Sequence, residues 1–164
     1  PMMAVLLDAT LCIVSAAGSR AVAARDFFLD AMTVDLDDTE LLTEVVLPKL
    51  PAHTGWGFQE IVRRHGDFAL AAVAATLTLS GSEIVQARIA LTGVGPTPLR
   101  AAEAESRLVG RGVDERLCRC AIEAVREAIS PETDLHASAD LRRHLAGVLT
   151  GRALAAAWRR GRAG

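Results

Sequence analysis

Four histidines, His53, His65, His136 and His144, are the side chains of this sequence best suited to moving protons or holding a metal. Their spacing supports neither role. No HExxH pair is present to hold zinc, and no GxSxG turn supplies a nucleophile for a neighbouring imidazole. They are read as structural or exposed. The carboxylates Asp35, Asp37, Asp38 and Glu40 resemble a calcium loop only in density, because the central glycine and the ligand spacing of an EF-hand are absent. Cys12, Cys118 and Cys120 are odd in number and lack a CxxC pair, which argues against a disulfide framework or a zinc ribbon. On a helix, Cys118 and Cys120 point about 200° apart and cannot grip one ion.

Two loops carry more pointed chemistry. Gly93-Val94-Gly95-Pro96-Thr97-Pro98 lies between a strand and a helix, where a phosphate loop belongs. Pro98 stands where a dinucleotide fingerprint needs glycine, and the two prolines remove amides that would have faced phosphate, so a tight turn is the better reading. Arg63-Arg64-His65-Gly66-Asp67-Phe68 gathers two guanidiniums near one carboxylate. They either lock a turn in bidentate fashion, the reading favoured here, or present a positive edge to an anionic ligand.

The elements that position these residues must come from a chain of 164 residues, 51% hydrophobic and 23% charged, enough for one compact core with a smaller annex. Eighteen Lys and Arg against twenty Asp and Glu give a net charge of −2 with no concentrated basic field, which argues against nucleic acid as a partner. Residues 1–82 hold 5 basic and 10 acidic groups and residues 83–164 hold 13 and 10, an asymmetry that an acidic loop and arginine-bearing helices produce by themselves. The longest apolar stretch, Phe68 to Leu79, is too short to span a bilayer. The opening Met2–Leu7 run meets Asp8 without a basic flank and does not read as a signal peptide, so a cytoplasmic location is expected.

Pro1 with the apolar run to Leu7 predicts a short helix. Thr10–Ser15, a turn at Ala17-Gly18-Ser19 and Arg20–Ala23 predict a hairpin, followed by a helical turn at Arg25–Phe28. Leu41–Leu47 reads as a strand ended by Pro48 and Pro51, and the proline-bearing stretch Lys49–Thr54 as a link. Gly57–Arg63, Phe68–Leu79 and Ile84–Leu91 then predict an antiparallel meander, with turns at His65-Gly66-Asp67 and Ser80-Gly81-Ser82. Thr97 with Pro98 opens the first of three helices, which ends before Gly110. Asp114 caps a second helix, with Cys118, Ile122, Val125 and Ile129 on one face and Glu115, Arg119, Glu123 and Arg126 on the other. Ser138 caps a third, with Leu141, Leu145, Val148 and Leu149 as its stripe, and Arg159-Arg160-Gly161-Arg162 is expected to fray. The fold class is α+β: an antiparallel three-stranded sheet packed on a three-helix C-terminal bundle, preceded by a small β-rich unit.

Several segments, taken together and in order, resemble the FAD-binding medium subunit of molybdenum hydroxylases, the carbon monoxide dehydrogenase and xanthine dehydrogenase superfamily. They are Ala24-Arg25-Asp26-Phe27-Phe28, Glu40–Val45 to Pro48, Arg63–Ala69, Ala90–Gly95 and His136–Arg143. The resemblance implies that residues 1–50 are the end of a second flavin subdomain and residues 52–164 the family's C-terminal domain. It implies FAD as cofactor, an iron-sulfur subunit and a molybdenum subunit as partners, and electron flow from the clusters through FAD to an acceptor. Leu41 and Leu42 match the apolar pair packed near the isoalloxazine. Gln59 falls where xanthine dehydrogenase relatives often carry a lysine near the flavin, and Leu141 where a tyrosine is common. The glycine-rich loops that cradle the FAD pyrophosphate in the family are not among these residues, so this chain is expected to depend on an N-terminal flavin half to hold FAD. Two further readings stand beside it: a non-flavin assembly module, and a relative recruited to a new small-molecule reaction as a homo-oligomer.

Overall fold

In the computed structural model, which describes residues 1–112 and 114–163, the apolar run after Pro1 forms helix α1 (Met2–Leu6). The hairpin follows as β1 (Thr10–Ser15) and β2 (Gly18–Ala23), paired from Thr10↔Ala23 to Ser15↔Gly18, and the helical turn as α2 (Ala24–Phe27). Its turn sits at Ala16-Ala17, one residue earlier than the sequence suggests, with Gly18 at φ 144° opening the return strand. Strands β3 (Phe28–Asp30) and β4 (Thr33–Val34) pair with each other. Strand β5 (Leu41–Val46) joins β1 antiparallel, giving a sheet of order β2-β1-β5. Val5, Ala9, Leu11, Ile13, Ala24 and Phe27 form its small core.

The acidic stretch is a lock. Arg20 donates from Nε and Nη2 to the two Glu40 carboxylate oxygens at 2.8 and 2.7 Å, and from Nη1 to Asp35 Oδ2 at 2.6 Å. That fork geometry is the one guanidinium and carboxylate share best, and it pulls the Glu40 carboxyl down to about 2.

The second sheet has order β6-β7-β8-β9, formed by β6 (Thr54–Ile61), β7 (Ala71–Ser80), β8 (Glu83–Thr92) and β9 (Leu99–Arg100), all antiparallel. It has four strands where three are expected. The fourth is two residues long, and Thr97-Pro98 leads into it instead of opening a helix; α3 begins later, at Ala102–Leu108. The first two strands of the meander also shift. Residues 62–70 form a loop, while Gly81-Ser82 makes the second turn as expected, with Gly81 at φ 60°.

Strand β7 is buried from Ala71 to Leu79 because both of its faces are covered. Ala71, Val73, Ala75, Leu77 and Leu79 face the main core with helices α4 (Glu115–Ala128) and α5 (Ala139–Ala163), whereas Ala72 and Ala74 pack with Ala90 against Met2 and Leu6 of α1. The alanines are there for close approach, which explains why propensity alone leaves this strand ambiguous.

Helix α5 lies on β6 and β7, α3 on β8, and α4 touches both helices. The contact of α5 with β6 is backbone to backbone. A Cβ placed on Gly55 would meet the Ala157 carbonyl oxygen at 1.9 Å, and one on Gly57 the Ala153 oxygen at 2.0 Å. The buried face of α5 is accordingly Ala146, Leu149, Ala153, Leu154, Ala157 and Gly161; of the expected stripe Leu149 is buried in it, Leu145 packs at its margin and Leu141 is exposed. Arg159–Arg162 remain helical instead of fraying. Arg160 donates to the Trp56 carbonyl at 2.7 Å and lies 3.6 Å from the centroid of that ring.

Asp114 caps α4 by accepting from Leu117 N at 2.6 Å, and Ser138 caps α5 by accepting from Leu141 N at 3.1 Å, both as expected. The deeply buried face of α4 is Leu117, Ala121, Ala124 and Val125; Cys118 and Ile122 sit at its margin, so the predicted face is rotated by about one residue. The Glu115 side chain lies outside the described residues.

Asp8, at φ 51°, ties the two sheets together: Arg100 reaches it at 2.8 Å and Arg88 at 3.2 Å. Arg100 also pairs with Glu105 at 2.7 Å and donates to the Val5 carbonyl at 3.2 Å.

Candidate functional site

Strand β5 ends the β2-β1-β5 sheet, and all six of its residues are exposed. Successive side chains on a strand point to opposite faces, so adjacent Leu41 and Leu42 open one face each, at 70% and 40% exposure. Val45, Val46 and Leu47 extend the apolar surface. Exposed edges are ordinarily blunted with charge or proline; Glu44 is the lone charge within β5, and Pro48 comes only after its end. An apolar edge of this kind marks a contact surface.

Gln59 stands on the edge strand of the other sheet, opposite Val73 and on the side of β6 that carries Gly55 and Gly57. It is half-buried, and its amide makes no hydrogen bond among the described residues. The structure therefore sets Leu41 and Leu42 next to each other along β5 but on its opposite faces, with Gln59 on a separate sheet.

The loops at one end of the second sheet are fastened by Arg142, which belongs to the His136–Arg143 segment of the resemblance but has no role assigned from sequence. It is 8% exposed, and its Nη1 donates to the Leu70 carbonyl at 2.6 Å and the Gly93 carbonyl at 2.9 Å, while Nη2 meets Asp134 Oδ2 at 2.8 Å. Asp134 Oδ1 accepts from the His136 and Ala137 amides. These amide bonds first, then Arg142, hold the Asp134 carboxyl down at about 2. The available signal was the fourth-residue spacing of Arg142 and Ala146 on one helix face, masked by the more apolar leucines beside it.

The Gly93–Pro98 loop is a structural turn. Gly93 has φ 79°, its carbonyl is taken by Arg142, and a Cβ there would come within 2.8 Å of the Ala69 and Leu70 oxygens. The Arg63-Arg64-Asp67 lock does not form: Asp67 gives its backbone N–H to the Arg64 carbonyl at 3.1 Å, and Arg63 Nη1 instead donates to His136 Nδ1. Burial, then the nearby Asp114 charge, raises the Cys118 thiol, which makes it a poor nucleophile. Among the described residues no three His, Cys, Asp or Glu side chains converge as a metal site, and no helix is long and apolar enough to cross a membrane.

For a flavin nucleotide these residues fit one half of the demand. Each face of β5 offers one open leucine to an apolar partner, while the turn that most resembles a phosphate loop has its glycine committed to internal packing.

Residues 56–157 match the sequence model of the CO dehydrogenase flavoprotein C-terminal domain, and residues 1–50 that of the FAD binding domain in molybdopterin dehydrogenase. The chain is 34% identical to the carbon monoxide dehydrogenase medium chain of Hydrogenophaga pseudoflava over 98% of its own length and 56% of that protein's. It is 37% identical to the glyceraldehyde dehydrogenase medium chain of Sulfolobus acidocaldarius, over 92% and 53%. Among solved structures, carbon monoxide dehydrogenase from Hydrogenophaga pseudoflava superposes with a TM-score of 0.94 at 35% identity, covering 98% of this chain and 56% of that one. Quinoline 2-oxidoreductase from Pseudomonas putida 86 superposes with 0.90 at 40%, covering 97% and 55%. The chain thus spans about half the length of the relatives it matches. With two adjoining sequence models and two close superpositions in agreement, it belongs to the CO dehydrogenase flavoprotein C-terminal domain family, within the FAD-binding medium subunits of molybdenum hydroxylases.

Proposed function

We propose that this chain serves a molybdenum-hydroxylase-type oxidoreductase as the latter portion of its FAD-binding medium subunit, divided at residues 50–52 into the end of a flavin subdomain and a C-terminal domain. In this reading α3, α4 and α5 are the counterpart of the family's C-terminal three-helix bundle. Bound FAD supplies the capacity to accept electron pairs and release them singly, so it can link iron-sulfur clusters to an acceptor. The iron-sulfur and molybdenum subunits are the proposed partners, and substrate choice belongs to the latter.

The observation that carries the reading is the open apolar edge of β5. Leu41 and Leu42 are assigned to the wall that excludes water from the isoalloxazine, and the rest of the edge to contact with the preceding flavin half of the subunit. Gln59 is assigned to the flavin's surroundings as a neutral hydrogen-bonding amide. Having no charge, it stabilises an anionic reduced ring less than the lysine of some relatives, and Gln59→Lys is expected to raise the flavin potential.

The test is reconstitution. Mixed with a matching N-terminal flavin half and FAD, the chain is expected to yield a complex that keeps its yellow colour through gel filtration. Leu42→Asp, on an exposed position, leaves the chain folded and is expected to abolish that colour. Failure of the unaltered pair to retain flavin overturns the reading.

A further inference from the structure

Arg63 and Arg64 lie in the loop of residues 62–70, and neither guanidinium meets a carboxylate among the described residues. With Asp67, Phe68, Leu70 and His136 they line a cleft of about 250 Å³. Asp67 supplies one negative charge there against two positive ones, and its carboxylate makes no ion pair among the described residues. Arg63 Nη1 donates to His136 Nδ1 across 73 residues of sequence. Guanidinium is only a donor, so the imidazole nitrogen accepts, and two basic groups are held in contact with no anion between them.

This juxtaposition is built. Asp134 holds the His136 amide at 2.8 Å, and Arg142 binds both Asp134 and the Leu70 carbonyl, so one buried arginine fixes the two loops that bring Arg63 and His136 together. Arg63 and His136, held in place before a ligand arrives, spare it the cost of ordering them. Phe68 stands fully exposed, at 100%, on the wall of the same cleft. Two arginines with no carboxylate partner among the described residues, beside an open aromatic ring, are a combination that recognises phosphate-bearing ligands.

We propose that Arg63, Arg64 and His136 form a binding site for a phosphate-class oxyanion, seated between the loop of residues 62–70 and the loop that carries His136. The oxyanion accepts from both guanidiniums and takes the place of the direct Arg63–His136 contact. Phe68 offers a face to any aromatic group the phosphate bears. The site stands independently of the flavin reading, since none of its residues is assigned to the isoalloxazine wall.

The probes are inorganic phosphate and phenyl phosphate added to the chain, followed by the NMR signal of the His136 ring, with sodium chloride at matched ionic strength as control. A saturable shift is expected with phosphate and not with chloride. Arg63→Gln and Arg64→Gln are each expected to weaken it about tenfold, the loss of a charge-assisted hydrogen bond. Both positions are exposed, and an unchanged melting temperature confirms that the variants fold. Tighter binding of phenyl phosphate, lost in Phe68→Ala, identifies an aromatic phosphate ester as the ligand; equal binding of the two probes identifies free phosphate. No saturable shift, an equal shift with chloride, or a shift that survives the double arginine variant overturns the proposal.

Discussion

At Gly57 a single hydrogen atom decides how closely α5 approaches the sheet, because any Cβ collides with the Ala153 carbonyl. Backbone has nowhere to move without lifting the helix. Gly57→Ala is therefore expected to destabilise the fold by about 1–3 kcal/mol, read as a lowered melting temperature. Nothing in the spacing of Gly55 and Gly57 reveals that partner, since the small residues they touch lie about a hundred positions away and small residues carry no apolar signature. Titration acts at the same scale. Glu40 and Asp134 both have folded values of about 2, below the ordinary 4.5 and 3.8. A depressed carboxyl stabilises the fold above its unfolded value, and that contribution disappears as pH falls through the folded one. Stability is expected to decline as pH drops from the ordinary carboxyl range toward about 2, more shallowly in a Glu40→Gln, Asp134→Asn double variant, as measured by urea unfolding at successive pH values.

Among the elements, those with local signals were legible. Asp114 and Ser138 cap the helices they were expected to cap, and Gly81 turns the β7–β8 hairpin, because caps and turns are set by a few adjacent residues. Strand β9 was not legible: two residues have no periodicity, and Thr97-Pro98 carries the sequence signs of a helix start. The tail of α5 was misjudged because its anchor is remote. Arg160 reaches Trp56 on β6, where it occupies a carbonyl and shields the ring of the edge strand. Arg160→Ala is expected to cost about 0.5–1 kcal/mol and to speed amide hydrogen exchange in the last turn of α5. Unchanged exchange there would show that helix propensity alone holds the tail.

For the whole molecule, the β2-β1-β5 and β6-β7-β8-β9 sheets are joined through α1, which packs on β7 and β8, and through Asp8, which receives Arg88 and Arg100. The α+β class and the order of the main elements followed from sequence pattern, while this joint did not, because it depends on contacts between residues 5–8 and 88–105. The candidate flavin wall was suggested by resemblance alone; the structure adds that Leu41 and Leu42 sit on a bare edge with apolar residues on both faces. Cover for that edge is the central claim. Its most direct test is hydrogen exchange by mass spectrometry over β5, in the chain alone and with a matching N-terminal flavin half and FAD. The account predicts that amides of Leu41–Val46 become strongly protected in the mixture while those of β7, already buried, do not change. Exchange in β5 that is the same with and without the flavin half would contradict it.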